Sequence, residues 1–146
     1  MSIPESPEVA RERATREQYD GLDRKYGPKY YDMDGNPLSM WDWAMNYELR
    51  VDRHVGDTYL RFRGHVYRVS TVHLGLDHSF SPRPHKPVIF ETMVFKDGDM
   101  GGMDFTRRYC TKAEANRGHR ETVRDVRRFF ATLPKQKQLL SNGHKP

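Results

Sequence analysis

Four polar residues interrupt stretches of this chain that are otherwise apolar and rich in strand-forming residues. His73, Asp77 and His78 lie in Ser70-Thr-Val-His-Leu-Gly-Leu-Asp-His78, and Glu91 lies in Val88-Ile-Phe-Glu-Thr-Met-Val-Phe95. Carboxylates and imidazoles are the groups from which divalent-metal sites and acid/base pairs are made. If the strands around residues 70 and 91 pair as a hairpin, Asp77 and His78 fall at the sheet end, within a few residue pairs of Glu91. A metal-dependent hydrolase or nuclease built on Asp77, His78 and Glu91 is one reading. The spacing matches no zinc motif, and Met93 stands where a restriction-type nuclease strand carries Lys two residues after its Glu. The plainer reading gives Asp77 an Asx-turn and His78 a hydrogen bond in the loop.

Glu91 shares a strand face with Ile89, Met93 and Phe95, where a carboxylate is costly unless paired. The last helix offers a partner. Its apolar stripe is Ala115, Thr122, Val123, Val126, Phe130 and Leu133, with His119 at its centre and Gly118 beside it. Gly costs about 1 kcal/mol of helix propensity relative to Ala, which makes sense where backbone must approach a sheet closely. A Glu91–His119 pair fixing helix on sheet is the expectation.

The same helix carries Arg117, Arg120, Arg124, Arg127 and Arg128 at three- and four-residue spacing, opposite that stripe. Such a face can neutralise a row of phosphates. Glu121 and Asp125 lie beside it and would blunt it. No aromatic side chain is interleaved for base stacking, and no nucleic-acid fold signature is present.

The elements that must position these groups follow from periodicity and turn chemistry. Ser6 and Pro7 open a charged first helix over 5–19 with a stop at Gly21. Tyr30 to Leu38 reads as a short hairpin turning on Asp34-Gly35. Its Asp32-x-Asp34-x-Asn36 spacing echoes a calcium loop, but Pro37 and Trp43 replace the required Gly and Glu, so the turn is preferred. Ser39-Met-Trp-Asp42 caps a helix over 40–54. Met40, Trp43, Ala44, Tyr47, Val51 and Val55 form one face of it. Trp41, Met45 and Leu49 form an adjoining face that either widens the packing or docks a host protein. Strands follow at 58–63, 66–74, 88–95 and 103–110, with a long loop over 75–87. Thr111-Lys-Ala-Glu114 is a capping box for a helix running to about Leu133. This order predicts an α+β fold: an antiparallel meander of about four strands with helices on one face. The organisation expected is a loosely docked N-terminal helix (1–24), one α+β domain (25–133) and a disordered basic tail (134–146).

The 146 residues are 36% hydrophobic and 31% charged, a composition for one domain with a modest core. No apolar run reaches the roughly 18 residues of a membrane span, and the N-terminus lacks the pattern of a signal peptide. Cys110 is alone, so it has no disulfide partner within the chain and reads as a small buried hydrophobe. No cofactor or metal motif is present, and a cytoplasmic protein is expected. The net charge of +5 hides an asymmetry: residues 105–146 hold 11 Lys/Arg against 3 Asp/Glu. A basic C-terminal third points to an anionic partner.

Three segments carry a resemblance: Ser70-Thr-Val-x-Leu-Gly-Leu-Asp-His78, Phe90-Glu-Thr-Met-Val-Phe95 and Tyr109-x-Thr-x-x-Glu-Ala-x-x-Gly-His119. Over roughly Lys29 to Val126 the chain resembles a family of small proteins encoded by bacteriophages and prophages. The resemblance brings no assigned activity. It implies a phage accessory protein acting in the bacterial host cell, where nucleic acid or a host protein is the expected partner. The leading expectation is a non-enzymatic binder that uses the Arg face of the last helix.

Overall fold

The computed structural model describes residues 5–27, 29–47, 51–79, 85–99 and 105–135. The fold is α+β. A four-stranded antiparallel meander, β3 (His54–Phe62), β4 (His65–His73), β5 (Phe90–Lys96) and β6 (Thr106–Tyr109), lies in sequence order, and α3 (Lys112–Thr132) packs across one face. A two-stranded hairpin, β1 (Tyr30–Tyr31) and β2 (Pro37–Leu38), precedes it. Its turn is the Asx kind: the Asp32 carboxylate accepts from the backbone N–H groups of Asp34 and Asn36 and from the Asn36 side chain.

The first helix, α1 (Pro7–Tyr26), is capped by the Ser6 hydroxyl and runs through Gly21, where the sequence pattern predicts its end. The stop is Gly27, whose φ of 75° only glycine adopts freely. None of its residues is buried; it touches α2 through Tyr19 against Trp41 and the Asp23 carboxylate, which accepts from the Met40 N–H.

The expected 40–54 helix is replaced by something shorter. One turn, α2 (Met40–Asp42), leads into a π-helical turn, Trp43–Tyr47, and the chain is already in β3 at His54. β3 has taken Val55 into the sheet, at the irregularity between His54 and Gly56; tertiary hydrogen bonding overrides the helical spacing. The wide turn holds Trp43 between Tyr30 and Tyr47, with ring centroids 5.3 and 5.1 Å away. Gly75 makes room for the indole: a Cβ there would meet the Trp43 ring at 1.9 Å.

The two central strands are buried by position, so both of their faces carry apolar residues. Toward α3 the sheet presents Leu60, Tyr67, Val69 and Val94, which with Val126 form one apolar cluster. Phe90, Ile89, Tyr31 and Ala115 form a second. Between the clusters runs a polar belt, Thr71, Thr92, His119 and Thr122, all buried. The Thr111–Glu114 capping box predicted for α3 is formed in both directions.

Candidate functional site

His119 sits at the middle of the polar belt. Its Nδ1 lies 2.8 Å from the Thr71 hydroxyl, and its Nε2 lies 2.9 Å from that of Thr58. Thr71 in turn bonds Thr92 at 2.6 Å. The ring rests on Gly56, where a Cβ would stand 2.9 Å from it. Burial pushes the imidazole below its ordinary pKa, with nearby Asp57 opposing that shift.

The expected Glu91–His119 pair does not exist. Burial along β5 alternates with Phe90, Thr92 and Val94 inward, so Glu91, Met93 and Phe95 lie on the face away from α3. There Glu91 takes a 2.8 Å hydrogen bond from Nε of Arg108, its register partner on β6. The expectation failed because a central strand is apolar on both faces, so alternation does not say which one meets the helix. The close approach predicted at Gly118 does occur, but against Tyr109: a Cβ there would stand 2.1 Å from the phenol oxygen.

Asp77, His78 and Glu91 are not brought together as a ligand set. One oxygen of Asp77 accepts from the N–H groups of Ser79 and Val88, which is the Asx-turn reading, and His85 stands 3.9 Å from the other. The His78 Nδ1 bonds the Leu76 carbonyl at 2.8 Å. Among the described residues, no three His, Cys, Asp or Glu side chains converge as metal ligands. His73 is buried, ringed by Trp43, Tyr47 and Phe90, and pushed down to about 4 by burial and then by nearby Arg53. Cys110 is half-buried, and burial raises its thiol pKa, the opposite of nucleophile activation. Of the Trp41, Met45 and Leu49 face, Trp41 is buried against Tyr19, Met45 is exposed, and Leu49 lies outside the described residues. Residues 136–146 of the expected basic tail also lie outside them.

The five arginines fare differently. Arg117, Arg120, Arg124, Arg127 and Arg128 are all exposed. At 100° per residue they fall within an arc of about 100°, and they span about 16 Å of helix. Among the described residues none of the five has an ion-pair partner. The two acids expected to blunt the face are occupied from the other side. Arg107 of β6 reaches Asp125 at 2.9 Å and Glu121 at 4.0 Å. The role of Arg107 was not read from the sequence; its signal is strand alternation, which puts Arg107 on the helix side and Arg108 on the other. Phe129 is 47% exposed, but on the helical wheel it falls beside Asp125, away from the arginines.

Comparison with protein-family models, curated proteins and solved structures returns no match for this chain.

Proposed function

We propose that this protein binds a polyanion, nucleic acid foremost, through the outer face of α3. The observation that carries the reading is the contrast between five exposed guanidinium groups with no ion-pair partner among the described residues and two neighbouring carboxylates that both face Arg107, Asp125 at 2.9 Å and Glu121 at 4.0 Å. A rigid helix holding positive charge in a row suits a phosphate backbone, because each contact releases condensed counterions. No aromatic side chain stands among the arginines to stack on bases, which favours contacts to the phosphate backbone. The resemblance to small phage-encoded proteins supports an accessory role in a bacterial cell, where nucleic acid is the abundant polyanion.

Fluorescence anisotropy with a labelled DNA duplex tests this over a range of salt concentrations. The logarithm of affinity should fall with the logarithm of salt at a slope of about −4.5 if all five arginines engage. Replacing Arg120, Arg124 and Arg127 with Glu should abolish binding while the circular dichroism spectrum stays that of the wild type. Binding that ignores salt, or survives the triple replacement, removes the reading.

A further inference from the structure

A cleft of about 440 Å³ opens where α1, the π-helical turn and the end of the sheet meet, far along the chain from α3. Its walls include Tyr19, Tyr30, Trp43 and Leu76, and its charged or ionisable lining groups are Arg53 and His78. Among the described residues no carboxylate lines it. Its volume falls within the roughly 300–1,000 Å³ of small-molecule sites.

Arg53 is the informative residue. It is half-buried, and among the described residues no carboxylate lies within ion-pair distance of it. The neighbouring Asp52 is engaged instead by His54 at 3.0 Å. The guanidinium lies 5.5 Å from the centre of the Trp43 ring, a cation–π contact that positions it and leaves its N–H fork for a ligand. Arg53 also lines a second cavity, of about 430 Å³, together with Asp52, His54, His73 and Leu74. His78 is held by its Nδ1 on the Leu76 carbonyl, which leaves Nε2 uncommitted in that bond. The wall carrying Trp43 is the π-helical turn, a deformation that recurs at functional sites.

We infer that this cleft binds a small anion carried on a flat aromatic ring, with Arg53 holding the acidic group and the half-buried Tyr19 and Tyr30 holding the ring. The site goes beyond the polyanion reading, because none of its lining residues belongs to α3.

Trp41 and Trp43 are the two tryptophans of the chain, so a Trp41→Phe variant reports the cleft by its emission. Two probes distinguish the acid: adenosine 5′-monophosphate for a phosphate and benzoate for a carboxylate. At least one should titrate the Trp43 emission with a dissociation constant below about 1 mM, and that one identifies the acid recognised. Its neutral counterpart, adenosine or benzamide, should bind at least about tenfold more weakly, as loss of a charged hydrogen bond requires. Arg53→Gln should weaken the anion by a similar factor with an unchanged circular dichroism spectrum, and Arg53→Lys should recover part of the loss. The triple α3 replacement should bind the probe as the parent does, which separates this site from the polyanion face. Silence of Trp43 toward both probes overturns the proposal, as does equal binding by the neutral counterpart or by Arg53→Gln.

Discussion

His73 has rings on three sides and a cation beyond them: Trp43, Tyr47 and Phe90 surround it, and Arg53 repels its charged form. Its folded-state pKa of about 4 therefore lies below the 6.5 of an unhindered imidazole. The unfolded chain then binds the proton more readily than the folded one between those two values. The stabilisation is complete above pH 6.5 and is lost as pH falls toward 4, by up to about 3 kcal/mol. Melting temperatures measured from pH 7 to pH 4 should fall, and in His73→Phe the fall should shrink. His119, whose pKa burial also lowers, contributes to the part that remains. An unchanged slope in the variant contradicts this account. Asp57 acts in the same direction at lower pH: the two-pronged hydrogen bond from Arg68 favours its carboxylate and holds its pKa down, so its contribution too is lost as pH falls. Type and spacing flagged His73 and His119 as polar groups within apolar runs. They did not reveal that threonine hydroxyls and aromatic rings, rather than carboxylates, would surround them.

At the scale of elements, α3 is positioned by its cap, its apolar clusters and one very close contact. Gly118 lies against Tyr109, and a Cβ there would be 2.1 Å from the hydroxyl and 2.2 Å from Cζ. Gly118→Ala should lower stability in urea denaturation by about 2 kcal/mol, the usual cost of overpacking, although it raises intrinsic helix propensity. Tyr109→Phe should not rescue it, because the ring carbon clashes as the oxygen does; an additive or neutral Gly118→Ala would show that the helix shifts freely. The capping box, the helix face and the meander were all legible because they depend on local rules: a cap three residues from its partner, a period of 3.6, a period of 2. The second helix was misread at its end because its apolar spacing satisfies a helix up to Val55, while the ladder with β4 begins at His54. The end of α1 was misread because Gly21 and Gly27 look alike in sequence and differ only in φ.

The whole molecule is unevenly held. Strands β4 and β5 pair on both sides and lie beneath α3, whereas α1 buries no residue and rests on α2. Amide exchange should report that gradient. Protection should be greatest around Val69, Thr71, Thr92 and Val94 and weakest along α1, whose opening exposes little apolar surface. Equal protection of α1 and β4 would mean that the helix is part of the cooperative unit. The same gradient sets two proposed binding surfaces apart: the arginines ride on the best-anchored helix, and the aromatic cleft borrows a wall from the loosest.

The belt that divides the core also has a direction. Thr92, Thr71, His119 and Thr58 follow one another in hydrogen-bond contact. A neutral imidazole donates from one nitrogen and accepts at the other. If Nε2 carries the proton, it donates to Thr58, Thr71 donates to Nδ1, and Thr92 donates to Thr71. If Nδ1 carries it, every one of those bonds reverses. The four side chains therefore share a single two-valued orientation, and a change of tautomer at the helix is felt as a turned hydroxyl two strands away.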